Sequence, residues 1–264
     1  MIEQRTAIVT GGSSGIGAAA AKMLAQGGVR VCVTYGGNSA GAEETVAACL
    51  AAGADAFAIQ GDVSDDAVCR DTAAQVMDRW GRIDVLLNNA GMTKPADARD
   101  LEALTADDFA RLYAVNTIGV YQMIRACEAP LKASGQGSIV ITSSIAGTDG
   151  VGSSLAYIAS KGAVNSLTKA LARSLAPTIR INAVCPGFVD SAWWAKTMDE
   201  AKIEKARASS RAMALLGRTA SSEEVAEAVL FFALGARSIT GQLLVVDNGM
   251  TLNLGQPLPV AKGA

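Results

Sequence analysis

The segment Tyr157-Ile158-Ala159-Ser160-Lys161 holds a phenol and an ammonium four residues apart, in a chain of 264 residues without a single histidine. On a helix that spacing puts both side chains on one face. A free tyrosine, with a pKa of about 10, transfers protons poorly at neutral pH. A neighbouring ammonium stabilises the phenolate and is expected to bring that value down. The pair then suits proton donation to a carbonyl oxygen, or acceptance from an alcohol. Alone, it fits equally a half-buried tyrosine with a lysine stem lying beside it. The two readings separate on whether other residues bring a reactant to the same place.

Thr10–Gly17, Thr-Gly-Gly-Ser-Ser-Gly-Ile-Gly, supplies such a second group. It follows an apolar run and opens a helical pattern. Gly11, Gly15 and Gly17 allow a tight turn and the approach of a pyrophosphate to a helix N-terminus, whose free N–H groups favour an anion. Ser13, Ser14 and Ile16 complete the loop, and the strand–loop–helix context marks it as a dinucleotide cradle.

The elements that must position these residues are legible as alternation. Short apolar runs lie at Thr6–Thr10, Arg30–Tyr35, Asp55–Asp62, Ile83–Gly91, Gly137–Ser144, Arg180–Cys185 and Gln242–Asp247. Between them lie helical patterns at Gly17–Gly28, Ala42–Gly53, about Asp65–Trp80, about Asp107–Ala133, Tyr157–Ala176 and Ser221–Leu234. Strands apolar throughout belong to a parallel sheet covered on both faces. Regular βα alternation gives a doubly wound fold. The expectation is one α/β domain over residues 1–264: a Rossmann fold with a seven-stranded, mostly parallel sheet and helices on both faces. Asp190–Ala220 interrupts the alternation at a strand's carboxyl end, where open sheets bind ligands, and is expected to form a substrate lid at about 190–220.

Bulk properties narrow the function. Lys and Arg total 23 against 25 Asp and Glu, a net charge of −2, with no basic stripe for nucleic acid. No run of about 18 apolar residues suggests a membrane span. The opening Met-Ile-Glu-Gln-Arg-Thr lacks the pattern of a signal peptide. Cys32, Cys49, Cys69, Cys127 and Cys185 form no Cys-x-x-Cys pair and read as buried, reduced thiols of a cytoplasmic protein. With neither histidine nor a cysteine cluster, no metal ligands are assigned.

The glycine pattern is Thr-Gly-x-x-x-Gly-x-Gly. It is followed in order by Asn-Asn-Ala-Gly at Asn88–Gly91, Asn116 in Ala-Val-Asn, Ser144, Tyr157 with Lys161, Pro186–Gly187 and Ser191. This ordered set, running from Thr6 to about Gly249, resembles the single-domain branch of the short-chain dehydrogenase/reductase family. The resemblance implies a carbonyl/alcohol oxidoreductase using Tyr157 as general acid or base. Ser144 would hold the substrate oxygen, preferred over Ser143 for its separation from Tyr157. Lys161 would hold the cofactor ribose. Asn116 would either carry a water that relays protons to the lysine or simply bond backbone. Asp62 and Val63 match the adenine site, and Asn88, Ala90 and Gly91 the turn beside the ribose. Pro186, Gly187, Val189 and Ser191 match the segment facing the carboxamide.

The resemblance also implies a homo-tetramer paired through the helices matching Asp107–Ala133 and Tyr157–Ala176. NAD-dependent relatives usually carry an Asp at the end of the second strand. Tyr35 stands there instead, and Gly36, Gly37, Asn38 and Ser39 offer neutral donors to a 2′-phosphate. NADP(H) is therefore expected, with NAD(H) as the alternative, because that loop has no Arg or Lys and Ser14 replaces an Arg common in NADP-dependent relatives. The substrate is a small-molecule carbonyl or alcohol. The motifs resemble 3-oxoacyl-carrier-protein reductases, and also sugar, polyol and steroid dehydrogenases. The Tyr-x-x-x-Lys spacing disfavours an enoyl reductase, and the complete tetrad disfavours a non-catalytic dinucleotide sensor. Met92, Ala146, Val151, Phe188, Trp193 and Trp194 are the expected pocket lining. The two tryptophans either clamp substrate or pack the lid.

Overall fold

A computed structural model describes residues 4–253. The expectations for the opening residues, and for a domain running to residue 264, fall partly outside these limits. Seven strands are present: β1 (Thr6–Val9), β2 (Arg30–Tyr35), β3 (Ala56–Gln60), β4 (Val85–Asn88), β5 (Gly137–Thr142), β6 (Ile179–Pro186) and β7 (Leu243–Val246). They form one sheet in the order β3-β2-β1-β4-β5-β6-β7, with every pairing parallel. The helices are α1 (Gly15–Gln26), α2 (Ser39–Ala51), α3 (Asp66–Trp80), α4 (Ala106–Tyr113), α5 (Gly119–Ala133), α6 (Ile145–Asp149), α7 (Leu155–Leu175), α8 (Glu200–Met213) and α9 (Ser222–Leu234).

Strand alternation sorts the core into two layers. Ala7, Val9, Val31, Val33, Val85 and Leu87 face one side, where they pack with α1 and α9. Ile8, Cys32, Leu86, Ile139 and Ile181 face the other, against α3, α5 and α7. Each central strand is thus apolar at consecutive positions because both faces meet a helix. Large side chains such as Leu24, Leu86 and Leu131 are fully buried, and each contributes about 1.5–3 kcal/mol by leaving water. All five cysteines are free and buried.

Three expectations are corrected and one unforeseen element appears. The helix foreseen from Asp107 to Ala133 is continuous in direction but contains a π turn over Ala114–Ile118, which divides it into α4 and α5. α2 begins at Ser39, not Ala42, because the Asn38 side chain caps it by accepting from the Gly41 amide at 3.2 Å. The short α6 after β5 had no sequence signal. β7 is an edge strand, with Leu244 and Val245 each more than a third exposed, so its apolar run is not covered on both faces.

The order reverses between β1 and β4, and the crevice at their carboxyl ends is where open α/β sheets take ligands. The opposite end of the sheet is held by charge. Buried Asp84 accepts from Arg82 at 2.6 and 2.9 Å and from the Thr6 amide at 2.8 Å.

Candidate active site

A cavity of about 890 Å3 opens over the carboxyl ends of β1, β2, β4, β5 and β6. Its far end lies at the start of α1. Gly15 adopts φ +55° there, a conformation that side chains disfavour, and the nearest atom to an added Cβ would be Ser191 Oγ at 3.6 Å. Gly17 is needed for a different reason. A Cβ would sit 2.5 Å from both the Asn89 amide nitrogen and the Gly11 carbonyl, so α1 could not seat against the β4 loop.

The N-terminus of α1 lacks what the other free helix starts have. Side chains cap α2, α3, α4, α6, α7, α8 and α9, whereas Ser14 makes no capping bond and the first turn of α1 has no acid. Its N–H groups and positive dipole end are therefore available to an anion.

At the other end of the cavity Ser144, Tyr157 and Lys161 converge. Ser144 ends the β5 segment and caps α6, accepting from the Ala146 amide at 3.1 Å. Ser154 caps α7, accepting from the Tyr157 amide at 3.3 Å, and so sets Tyr157 in the first turn. The Ser144 hydroxyl lies on the Tyr157 phenol's side of the cavity and acts to lower its pKa. Ser143 turns the other way, its Oγ 2.6 Å from Asn165 Oδ1. Lys161 is 4% exposed, donates to the Thr142 carbonyl at 2.8 Å, and lies 5.7 Å from the Tyr157 ring centre.

The electrostatics differ from the sequence expectation. Burial pushes the Tyr157 phenol up to about 12, against a smaller lowering by the Ser144 hydroxyl. Burial also lowers the pKa of Lys161, to about 8, which leaves it an ammonium at neutral pH. As it stands, the phenol is held in its neutral form. The Cys185 thiol behind it is pushed up to about 11, mainly by burial, and stays protonated.

Most residues singled out in the sequence border this cavity: Gly11, Ser13, Ser14, Gly15, Ile16, Tyr35, Asn38, Asp62, Val63, Ala90, Gly91, Ser144, Tyr157, Lys161, Pro186, Gly187, Val189 and Ser191. Gly17, Ser39, Asn88 and Asn116 do not. Gly17 is packed as above, and Ser39 lies exposed in the first turn of α2. Asn88, still in β4, points away and donates to the Val120 carbonyl. Asn116 is fully buried in the π turn. It clasps Met92, accepting from its amide and donating to its carbonyl at 2.9 Å each, and also donates to Ser160 Oγ. Ala146 is likewise buried, and Ile145 lines the cavity in its place.

Two polar residues were missed. Asn89 donates to the carbonyls of Thr10 and Gly11 and accepts from Thr142 Oγ1. It thereby ties together the loops after β1, β4 and β5. Thr142 presents the carbonyl that holds Lys161. The signal for Asn89 was the strand register: one residue past β4, it faces the opposite way from Asn88.

The lid rises over this end as a 3-10 turn (Trp194–Lys196) followed by α8. Its two ends meet where Val189 bridges Ala220, and Arg207 ties α8 to Asp190 at 2.8 and 3.0 Å. Trp194 packs the lid: it stacks on Phe188 with ring centres 5.2 Å apart and donates to the Val189 carbonyl. Trp193 instead reaches toward Tyr157, ring centres 6.3 Å apart.

Comparison with known proteins decides the family. Residues 11–251 match a family profile described as "Enoyl-(Acyl carrier protein) reductase". A protein of Streptomyces violaceoruber, named as a ketoacyl reductase of the granaticin polyketide synthase, is 40% identical over 95% of this chain and 97% of its own. The 3-oxoacyl-[acyl-carrier-protein] reductase of Staphylococcus aureus is 34% identical over 93% of this chain and 98% of its own. The chain belongs to the short-chain dehydrogenase/reductase family. A crystal structure of a family member from Burkholderia xenovorans superposes with a TM-score of 0.87 at 39% identity, covering 96% of this chain and all of that one. Levodione reductase also gives 0.87, at 29% identity, over 94% and 98% of the two chains. As a short-chain dehydrogenase/reductase, the protein is an oxidoreductase of CH–OH groups, works with NAD(P) and takes a small-molecule substrate. No helix among the described residues is long and apolar enough to cross a membrane.

Proposed function

We propose that this enzyme reduces a ketone on an apolar substrate, such as a 3-oxoacyl thioester or an alicyclic ketone, using NADP(H) in preference to NAD(H), and that Tyr157 is the proton donor. The observation that carries the reading is the pairing of two features in one cavity. An uncapped, acid-free helix start lies at one end, and a neutral phenol backed by a buried ammonium lies at the other. A dinucleotide fits the residues present: the α1 N-terminus and Ser13 for its pyrophosphate, Asp62 and Val63 for its adenine, and Lys161 for its ribose hydroxyls. Lys161 is buried with no carboxylate partner among the described residues, as expected of a cation that neutral oxygens will join. When bound, the dinucleotide supplies the hydride.

The chain's own residues supply the rest. Ser144 and Tyr157 hydrogen-bond the substrate oxygen and orient the carbonyl. As charge develops on that oxygen, Tyr157 releases its proton to it. The nearby Lys161 ammonium stabilises the phenolate left behind, which burial otherwise disfavours. Trp193 and Trp194 cover the reacting atoms and exclude water. Asn116 positions the Met92 loop along the substrate side.

The lining of that side favours an apolar substrate over a polyol. Met92, Met198, Met213 and Met250 face the cavity with the two tryptophans, and methionine adapts to irregular apolar shapes. The cofactor preference rests on the end of β2, where Tyr35 replaces an acid. Asn38 contributes less than its type suggests, since both ends of its amide are engaged, by the Gly41 amide and the Ser13 carbonyl. The 2′-phosphate is left with neutral donors, which hold it less tightly than Arg would, so NAD(H) is also used. The test is turnover of a ketone panel with each dinucleotide. Higher kcat/KM with NADPH on apolar ketones supports the proposal; higher kcat/KM with NADH, or turnover of polyols alone, contradicts it.

A further inference from the structure

Beside the main cavity lies a second cleft of about 520 Å3. The two share Gly91, Met92, Trp193 and Lys196 in their linings, so the cleft adjoins the main cavity on its Trp193 side. The ionisable residues lining it are Lys94, Arg111, Lys196 and Asp108. The single acid is already matched: Asp108 takes Lys94 at 2.7 Å and also closes the α4 capping box with Thr105. Arg111 and Lys196 make no ion pair among the described residues, although the chain as a whole is net negative.

Two unmatched cations on an open convex surface would mean only solvation. Arg111 and Lys196 are themselves exposed, but they line one cleft with half-buried Trp193 and buried Leu112, and apolar walls beside a charge focus the field felt by a ligand. A guanidinium and an ammonium together suit carboxylate or phosphate oxygens. We propose that this cleft is a subsite for an anionic group, carboxylate or phosphate, carried by the ketone substrate several bonds from its carbonyl. The inference deepens the carbonyl-reductase reading and rests on it. The apolar body of the substrate lies against the methionines and Trp193, and its charged end lies between Arg111 and Lys196.

The test uses matched substrate pairs on the full chain with saturating dinucleotide. Methyl ketones bearing a terminal carboxylate, over a range of chain lengths, are compared with their methyl esters. Acetoacetyl phosphopantetheine is compared with acetoacetyl pantetheine. The first pair reports carboxylate binding and the second phosphate. The wild type is expected to favour the anionic member of at least one pair on the order of fivefold in kcat/KM, through KM, with the preference shrinking at high salt. The double variant Arg111→Gln, Lys196→Gln is expected to bring that ratio toward one. A wild-type ratio of one in both pairs, with turnover intact, overturns the subsite and leaves the carbonyl-reductase reading standing. Quenching of tryptophan fluorescence by the same pairs reads binding without turnover. If no pair is reduced, the carbonyl-reductase reading fails on its own account, and equal quenching within each pair would still overturn the subsite.

Discussion

Replacing Lys161 by Met tests whether its ammonium sits uncompensated in the protein interior. The methionine keeps the apolar stem and removes the charge. Lys161 is 4% exposed and has the Thr142 carbonyl for a partner, and burial lowers its pKa from 10.5 to about 8. At about 1.4 kcal/mol per unit, that drop is worth about 3 kcal/mol. Between pH values of about 8 and 10.5 the unfolded chain keeps a proton that the folded chain has released. Stability therefore rises with pH across that window, and the contribution is lost as pH falls toward 8. Denaturant unfolding of both proteins, at a fixed protomer concentration, measures the effect. The wild-type value minus that of Lys161→Met is expected to climb by up to about 3 kcal/mol from about pH 7 to about pH 10.5. Groups common to both proteins cancel in the difference. A difference flat to within about 0.5 kcal/mol would mean that the ammonium is solvated, and the reasoning that assigns it to a ribose would fall.

Three further outcomes are expected. Ser14→Asp should cap α1 and raise stability by about 0.5–1 kcal/mol while weakening dinucleotide binding at least tenfold, since the carboxylate would occupy the pyrophosphate's place; calorimetry of dinucleotide binding and thermal unfolding read the two effects. Arg82→Ala should destabilise by about 3 kcal/mol, because it strands the buried Asp84 carboxylate at the end of the sheet remote from the cavity; denaturant unfolding measures it, and dinucleotide affinity should not change. Light scattering is expected to give a tetramer, because Ile118 and Tyr121 on the α5 side and Phe231, Leu244 and Val245 near β7 form two separate exposed apolar areas; a mass near 26.9 kDa at micromolar concentration would contradict it.

The sheet was legible because its strands are buried on both faces, which writes an unbroken apolar run into each of them. The edge strands β3 and β7 are less covered, and β7 reads the same way in sequence because nothing in Leu243–Val246 reveals which strand lies at the edge. Helix ends were legible where a cap stands beside a periodic pattern, as at Ser221. They were misjudged where Gly36, Gly37 and Asn38 read as a turn although Asn38 is itself the cap. The π turn around Asn116 leaves no mark in residue type, since it is a matter of backbone hydrogen bonding. Residue types and spacing were enough to place Tyr157 and Lys161 on one face and the glycine loop at a strand's end. They could not tell which of Asn88 and Asn89 faces the crevice, because that depends on where β4 stops. Nor could they give the direction in which Tyr157 is shifted. The expected lowering assumed that the ammonium acts most strongly on the phenol, and the structure makes burial of the phenol the larger effect.

The central claim is that a neutral Tyr157 delivers the proton to a substrate carbonyl beside a dinucleotide. Tyr157→Phe removes the hydroxyl and leaves the ring and its packing against Trp193. Steady-state reduction of an apolar ketone with NADPH, measured beside dinucleotide affinity for the same protein, tests it most directly. The account predicts a fall in kcat of about a hundredfold or more with dinucleotide affinity nearly unchanged. Retention of more than about a tenth of wild-type turnover would contradict it.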